Sequence, residues 1–157
     1  MSFDMNVWVN RLIEHEGMKL MPYKCPLGKL TIGVGRCLDT NPLTSEEEKT
    51  VGDWRHGITK CSAMYLLRND IKKVYKELKK ELSFFIDLDS ERQYALIDMA
   101  FNLGILGLLR FKKMLKAMEK GDFKTASKEC LSSKYAKDVG TRAIRIANTI
   151  ETGIFRL

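Results

Sequence analysis

The chain has 157 residues, of which 45% are hydrophobic and 30% charged, and its formal net charge is +7. This length and composition are typical of one soluble globular domain and exclude disordered and collagen-like chains. Residues 1–60 hold eight basic and eight acidic side chains. The surplus positive charge therefore lies in residues 61–157, where it favours an anionic partner.

The cysteines and the N-terminal segment indicate which metal sites, disulfides and targeting segments the chain can have. Cys25, Cys37, Cys61 and Cys130 show no Cys-x-x-Cys spacing, and the chain has only two histidines. We therefore expect free thiols in a reducing compartment, no metal site and no cofactor. A disulfide between Cys25 and Cys37 is the alternative. The N-terminal segment predicts no export signal, and no apolar run approaches the ~20 residues of a membrane span.

The first third of the chain is predicted to form a helix followed by a small sheet. Asp4 can cap a helix that ends at a glycine, which places Glu16 in its last turn. Over residues 18–34, short alternating segments are broken by prolines and a glycine. This pattern predicts an antiparallel hairpin or meander with Cys25 in its turn and Thr31 on its returning strand.

Helices are predicted for most of the remaining chain. Thr44 or Ser45 begins a short helix with an acidic first turn, and residues 52–57 are typical of a loop. Thr59 precedes the longest periodic stretch, with apolar residues on one side and lysines on the other. The later helices are predicted after the cap cluster at residues 87–90 and up to Gly104, and at about residues 109–120, 122–131 and 141–152.

The spacing of three polar residues carries the functional prediction. Eight residues separate Glu16 from Cys25, and five separate Cys25 from Thr31. This arrangement resembles the catalytic motif of the phage-type lysozymes, glycoside hydrolase family 24. Further segments that resemble the family are Gly57–Lys60, Leu66–Asp70, Ala95–Gly104 and Thr141–Arg145. The resemblance therefore covers nearly the whole chain.

The resemblance implies an α+β, mainly α fold with two lobes in a single lysozyme domain over residues 1–157. The small N-terminal lobe, about residues 13–59, carries the hairpin, and a long linking helix spans about residues 60–82. An all-helical lobe of about residues 83–157 packs with the helix at residues 4–15. The family also implies a monomer.

The chemistry of glycosidic cleavage gives each motif residue a role. It needs a proton donor and, on the other face of the sugar, a group that activates water or stabilises the transition state. Glu16 suits the donor, because a carboxyl beside an apolar helix face is partly desolvated. The family accepts aspartate or cysteine at the middle position. We expect Cys25 to orient or deprotonate water with Thr31 as its hydroxyl partner, and a covalent role for Cys25 is the alternative.

The same resemblance implies substrate-binding and supporting residues. The expected cleft-lining residues are Leu38, Phe101, Asn102 and Met114. Arg142 is expected to lie close to Glu16 and hold its geometry. Arg36 stands where the family often has a histidine, and Asp70 is expected to pair with it.

The function that the resemblance implies is that of an endolysin. It would hydrolyse the β-1,4 bond between N-acetylmuramic acid and N-acetylglucosamine in peptidoglycan with inversion, leading to host lysis. We expect no nucleic-acid partner, no stable membrane insertion, and synthesis in the host cytoplasm before release through a holin. Two alternatives remain open: a lytic transglycosylase, which needs no activated water, and a non-catalytic basic module that binds wall polymer or nucleic acid.

Overall fold

The computed structural model describes residues 3–157, which form eight α-helices and one three-stranded antiparallel sheet. The helices are α1 (Met5–Glu16), α2 (Ser45–Val51), α3 (Lys60–Glu81), α4 (Ser90–Leu109), α5 (Lys112–Glu119), α6 (Phe123–Leu131), α7 (Lys134–Val139) and α8 (Thr141–Thr152). The strands are β1 (Lys19–Lys24), β2 (Leu30–Gly33) and β3 (Arg36–Cys37). Short 3-10 turns occupy Trp54–His56 and Phe85–Asp87. The predicted α+β, mainly α class is confirmed.

Local sequence explains where the first two helices begin and end. The Asp4 side chain accepts a hydrogen bond from the backbone of Asn6 at 2.9 Å and so caps α1. Gly17 ends α1 with a φ of 78°, a backbone conformation that glycine adopts without a steric cost. Thr44 and Glu47 form a reciprocal capping box at the start of α2. The structure therefore takes Thr44 as the cap of this helix.

The sheet is a meander in strand order β1-β2-β3. Tyr23 on β1 is opposite Thr31 on β2, and Thr31 is in turn opposite Cys37 on β3. Directly opposed residues of antiparallel strands carry their side chains on the same face of the sheet. Tyr23, Thr31 and Cys37 therefore form one cross-strand row.

The chain divides into two compact units, and the division falls within α3. The first unit comprises residues 4–72, and the second comprises Phe3 with residues 73–157. The core cluster of the first unit is formed by Ile32, Leu38, Ile58, Ala63 and Leu66. It places the small sheet against the beginning of α3. The lobe limits and the packing of the helix at residues 4–15 remain predictions.

The second unit contains α4 to α8 together with the end of α3. Helix α8 contacts α4, α6 and α7, while α5 contacts α6. The helical path of α4 breaks at Gly104, which has a φ of 76° and a ψ of 162°, where the helix was predicted to end. Helix α7 was not predicted. It has six residues and is capped by Ser133, and so short a segment offers almost no periodic pattern.

No single helix within residues 3–157 is both long enough and apolar enough to cross a membrane. Helices α4 and α5 meet the length and composition criterion only when taken together, and they are bent by 98°. Residues 93–100 of α4 are buried.

Candidate active site

Glu16 is the last residue of α1, and its side chain is half-buried. Gly35, just before β3, lies against it. A Cβ atom added to Gly35 would lie 3.5 Å from Glu16 Oε2 and 3.7 Å from its Cδ. The backbone of Gly35 therefore forms one wall beside the Glu16 carboxyl group. Gly35 also has a φ of 69°, which favours glycine at this position.

Cys25 lies at the start of the β1–β2 turn and is partly exposed. Its backbone N–H donates to the Lys29 carbonyl at 2.9 Å, and its carbonyl accepts from Gly28 at 2.7 Å. The turn directs the backbone N–H groups of Lys29 and Leu27 at the Cys25 sulfur, which is also within hydrogen-bonding reach of the Thr31 hydroxyl. These bonds, with the nearby Lys29 ammonium, lower the pKa of the Cys25 thiol below its ordinary value. The turn therefore makes the Cys25 thiolate easier to form than the thiolate of an unperturbed cysteine.

Thr31 lies beneath this turn, with only 4% of its surface exposed. Its hydroxyl donates to the Lys29 carbonyl at 3.0 Å. Since the hydroxyl has one proton, it can donate either to this carbonyl or to the Cys25 sulfur. Thr31 therefore responds to the charge state of Cys25.

Tyr23 connects the acid and the thiol. Burial raises the pKa of Tyr23, and the nearby negative charges of Glu16 and Cys25 raise it further. Lys19 lies over the Tyr23 ring, with its ammonium 4.3 Å from the ring centroid. Tyr23 therefore lies near both Glu16 and Cys25 and remains a neutral phenol in neutral solution.

Cys37 is a second partly exposed thiol at the site. Burial raises its pKa, but hydrogen bonds from the Thr40 hydroxyl and from the backbone of Thr40 and Asp39 outweigh this, and the pKa lies below its ordinary value. Cys25 follows β1, and Cys37 lies on β3, with β2 between them. Two strand spacings amount to about 10 Å, whereas a disulfide requires Cα atoms within ~7 Å. Both are free thiols, and pairing them would require the sheet to open.

Arg36 is the centre of a buried polar network in the first unit, with 4% of its side chain exposed. It pairs with Glu47 at 2.8 Å and with Asp70 at 3.1 Å. Its remaining donors bond to the carbonyls of Asn41 at 2.7 Å and Pro42 at 3.1 Å. The expected pairing of Arg36 with Asp70 is present. The network joins β3, which follows Gly35, to α2 and α3.

The four residues expected to line the cleft have different surroundings. Leu38 is only 7% exposed and belongs to the core cluster of the first unit. Met114 is 1% exposed and lines a cavity in the second unit with Arg110 and Phe111. Phe101 and Asn102 are half-buried on α4. Substrate roles for all four remain predictions.

Asn102 carries a buried side-chain oxygen, Oδ1, that accepts no hydrogen bond within the described chain. A buried acceptor without a donor costs free energy, and a ligand or water N–H or O–H group would remove that cost. Asn102 is therefore suited to accept a hydrogen bond from a ligand.

Arg142 lies at the start of α8 and bonds to α4. Its Nε donates to Asp98 Oδ1 at 2.8 Å, and its Nη2 lies 3.3 Å from the Asp98 carbonyl. Asp98 is fully buried and also accepts from the Tyr94 hydroxyl at 2.7 Å. These contacts fix the guanidinium group of Arg142 within the second unit. The expected proximity of Arg142 to Glu16 remains a prediction.

Sequence reasoning missed several residues at these positions. Tyr23 has a detectable signal, because residues two apart on a strand point to the same side, which places Tyr23 with Cys25. Asp98 has a weaker signal, an acid within an apolar helical stripe four residues after Tyr94. Glu47 resembles an ordinary acidic residue in a first helical turn, and nothing local indicates its partner Arg36.

No group of three or more His, Cys, Asp or Glu side chains within residues 3–157 is arranged to hold a metal ion. The side chains described at this site offer a carboxyl group, a thiol with a lowered pKa, a hydroxyl and a phenol.

Comparison with known proteins identifies the family to which the chain belongs. The model of the family described as Phage lysozyme matches residues 13–146. The chain belongs to the phage lysozyme family. This family consists of lysozymes, which are glycoside hydrolases that act on peptidoglycan, so the predicted family and enzyme class are confirmed.

Individual relatives show how far the similarity extends. The probable T4-type lysozyme 1 of Dictyostelium discoideum is 30% identical over 152 residues, which cover 88% of this chain and 89% of that protein. The endolysin of Acyrthosiphon pisum secondary endosymbiont phage 1 is 29% identical over 128 residues, which cover 82% of this chain and 77% of that protein. The pre-baseplate central spike protein Gp5 of Enterobacteria phage T4 is 30% identical over 151 residues, 88% of this chain but 26% of that protein.

Proposed function

We propose that this family member is an endolysin that hydrolyses the β-1,4 bond between N-acetylmuramic acid and N-acetylglucosamine in peptidoglycan. The observation that carries the proposal is the position of Cys25. Its backbone forms the tight β1–β2 turn with Gly28 and Lys29, and hydrogen bonds from this turn lower the pKa of its thiol; Glu16 lies in the same unit. A proton donor and a proton acceptor thus occupy the same small unit.

Glu16 is the general acid in this proposal. It protonates the glycosidic oxygen as the bond to the muramic acid C1 breaks, and the sugar develops oxocarbenium-ion character. Gly35 itself places no side-chain methyl against Oε2 of the carboxyl group. After the step, Glu16 carries a negative charge, and the nearby Tyr23 phenol can donate a hydrogen bond to it while keeping its proton.

The Cys25 thiolate is the general base. It removes a proton from a water molecule whose oxygen attacks C1 on the face opposite the leaving group, so the product has inverted configuration. Cys25 then holds the proton as a thiol, and proton exchange with solvent restores both groups. The Thr31 hydroxyl, donating to Lys29, can accept a hydrogen bond from the same water through its lone pairs.

Contacts to substrate complete the proposal. The unpaired Oδ1 of Asn102 suits an N-acetyl N–H group of the glycan, because that pairing satisfies a buried acceptor. Phe101, next to it in the chain, is proposed to offer an aromatic surface for a sugar ring, and the buried Leu38 and Met114 are proposed to support the cleft walls from within their own units. Arg142, held by Asp98, is proposed to keep the Glu16 carboxyl in position.

The biological setting is also proposed. We infer that the chain acts on the cell wall of a phage host as a monomer, after synthesis in the host cytoplasm and release through a holin, and that it leads to lysis. It requires neither nucleic acid nor stable membrane insertion. Light scattering of the purified protein tests the monomer, and a second copy in the scattering mass would contradict it.

The test is an analysis of the ends that the protein creates in purified murein. The wild type and Glu16→Gln are incubated with murein, and the new sugar ends are identified by mass spectrometry. Hydrated muramic acid ends from the wild type and none from the variant are expected. Glu14→Gln, which changes an exposed acid on the same helix, is the matched control and should retain wild-type activity.

The two other functions give different results in the same experiment. Anhydro-muramic acid ends would indicate a lytic transglycosylase, in which no water is added. An absence of new ends, combined with retention on murein, would indicate a non-catalytic binding module.

A further inference from the structure

Positive charge is concentrated in one segment of the second unit. Residues 110–137 hold nine basic and three acidic side chains, a net charge of +6 out of +7 for the whole chain. All nine basic residues are exposed. They are Arg110, Lys112, Lys113, Lys116, Lys120, Lys124, Lys128, Lys134 and Lys137. We call the part of this surface on α5 and the adjoining α6 the basic face.

The basic side chains on α5 are not neutralised. Among the described residues, no acidic side chain forms a salt bridge with Arg110, Lys112, Lys113, Lys116 or Lys120. The apolar side of α5 packs into the protein interior, where its residues Met114, Leu115, Ala117 and Met118 are buried. Helix α5 therefore presents charged groups to solvent, and within residues 3–157 its lysines Lys112, Lys113 and Lys116 form no salt bridge with an acidic side chain.

Two concave depressions follow this face. One, of about 450 Å³, is lined by Arg110, Lys112 and Lys113 with Ser132 and Ser133. The other, of about 340 Å³, is lined by Lys113, Lys116 and Lys120. Lys113 and Glu129 line both. The two depressions thus form a continuous path with lysines along its length.

We propose that the basic face binds a linear phosphodiester polymer without bases, of the glycerol-phosphate type found in bacterial cell walls. This binding goes beyond glycan hydrolysis and does not require it. The spacing of the charges supports the choice. Lys113, Lys116 and Lys120 lie three to four residues apart along α5 and its C-cap, which corresponds to about 5–6 Å along the helix. A six-bond phosphodiester repeat spans about 7 Å when extended, so successive phosphates can meet successive lysines.

The composition of the face argues against the two other common polyanions. A membrane surface is usually bound by several apolar side chains inserted between lipids, but the apolar residues of α5 are buried, and on α6 Leu131 alone is apolar and exposed. Single-stranded nucleic acid is usually bound by exposed aromatic rings that stack on bases. The aromatic residue in the lining, Phe111, is half-buried and packs edge-on against Tyr135 at 5.9 Å between centroids.

The acidic residues on the path sharpen the proposal. Asp122 caps α6, and its hydrogen bonds with Thr125 lower the pKa of its carboxyl group. The negative charge of Asp122 is therefore stabilised by the start of the helix. Glu129 lies at the junction of the two depressions and opposes a bound phosphate. Removing the charge of Glu129 is therefore expected to strengthen polymer binding.

The test is a direct binding measurement with purified, lipid-free poly(glycerol phosphate) across a series of salt concentrations. All proteins carry Glu16→Gln, so that binding is measured without cleavage and the result does not depend on the proposed hydrolysis. The double variant Lys113→Gln, Lys116→Gln is compared with the control Lys79→Gln, Lys80→Gln, which removes the same charge from exposed lysines at the end of α3. Thermal melts establish that each variant is folded.

The proposal predicts that the Lys113, Lys116 double variant binds the polymer about thirtyfold more weakly. Its plot of log affinity against log salt concentration becomes shallower by about 1.4, the value for two lost phosphate contacts. Glu129→Gln should bind about fivefold more tightly. The Lys79, Lys80 control should retain wild-type affinity and slope.

Other outcomes would overturn the proposal. Equal weakening in the double variant and its control would mean that net charge alone, without a defined surface, attracts the polymer. Tighter binding to anionic phospholipid vesicles, to oligothymidylate or to phosphate-free murein fragments than to poly(glycerol phosphate) would assign the basic face to another partner.

Discussion

Arg36 and Glu47 form a buried bidentate ion pair, with Nη2 donating to Oε1 at 2.8 Å and Nη1 donating to Oε2 at 3.1 Å. Asn69 and the backbone of Thr44 also donate to the Glu47 carboxylate. Buried charges are costly unless all their hydrogen-bonding groups are satisfied, and here they are. The pair therefore holds β3, and with it the Gly35 wall beside Glu16, against α2.

The stability of the protein in acid should depend on Glu47. Burial raises its pKa, but bonds from Arg36, Thr44 and Asn69 outweigh this and lower the pKa to about 2 from an ordinary value of 4.5. Because the folded-state pKa is lowered, the stabilisation is present above pH 4.5 and is lost as pH falls toward 2. It amounts to about 3 kcal/mol.

Denaturant unfolding of the wild type and Glu47→Gln at several pH values measures this effect. The free energy of unfolding should differ most near neutral pH, and the difference should shrink as pH falls from 4.5 toward 2. The exposed neighbour Glu46→Gln is the control and should follow the wild type. A Glu47→Gln difference that is constant across this range would contradict the ion-pair account.

Two substitutions of Cys25 should show whether an anionic group at this position is required for activity. Cys25→Asp supplies a carboxylate to the same backbone N–H donors and should retain substantial activity, with the acidic limb of the pH profile moved to lower pH. Cys25→Ala removes the base and should lower kcat/KM by roughly a hundredfold or more. Murein turnover measured against pH checks both. If all three proteins were equally active, Cys25 would have no catalytic role.

The Thr31 hydroxyl should matter more for turnover than for folding. In Thr31→Val the Lys29 carbonyl still accepts the Cys25 N–H, so the fold loses little. The Cys25 thiolate loses a donor, which raises its pKa, so the acidic limb of activity should move to higher pH. Turnover should also fall.

The matched control for Thr31→Val is Thr149→Val. Thr149 is a fully buried threonine in the second unit whose hydroxyl likewise donates to a backbone carbonyl, that of Arg145, at 2.8 Å. Its substitution should change the thermal melt without moving the pH profile. A Thr31→Val variant with a lowered melting temperature and an unchanged profile would show that Thr31 is only structural.

Gly35 should be required for its closeness to Glu16 as well as for its backbone conformation. Gly35→Ala and Gly52→Ala both place a side chain at positive φ, 69° and 81°, and should each cost about 1 kcal/mol of unfolding free energy. Only at Gly35 would the new methyl contact the Glu16 carboxyl, since nothing lies within 4 Å of a Cβ at Gly52.

Paired measurements of stability and kcat/KM on these two variants distinguish the effects. Both should lose similar stability, while Gly35→Ala alone should lose roughly tenfold or more in kcat/KM, because the methyl hinders approach to Oε2. Equal activity of the two variants would remove Gly35 from the account.

The fold could be predicted where local sequence determines it. The caps at Asp4 and Thr44 and the turn after Cys25 depend on residues close together in the chain, and the structure has each of them. At Gly104 the helix was predicted to end, but it only breaks there and continues to Leu109. Helix α7 could not be predicted, since six residues form too few turns for a periodic signal.

The candidate site could be predicted only in part. The spacing of Glu16, Cys25 and Thr31 identifies the motif, but the lowered pKa of Cys25 arises from backbone N–H groups whose direction depends on the turn. The partners of Arg36 lie 11 and 34 residues away, at Glu47 and Asp70. Contacts over such distances are created by tertiary packing and leave no local pattern.

The anomeric configuration of the first product tests the central claim most directly. Wild-type protein is mixed with a soluble murein fragment, and the new reducing end is followed by NMR before the anomers interconvert. The account, in which Glu16 protonates the leaving oxygen and Cys25 activates the attacking water, predicts the α-anomer of a hydrated muramic acid end. A β-anomer would indicate a covalent intermediate on Cys25, and an anhydro end would show that no water attacks; either would contradict the account.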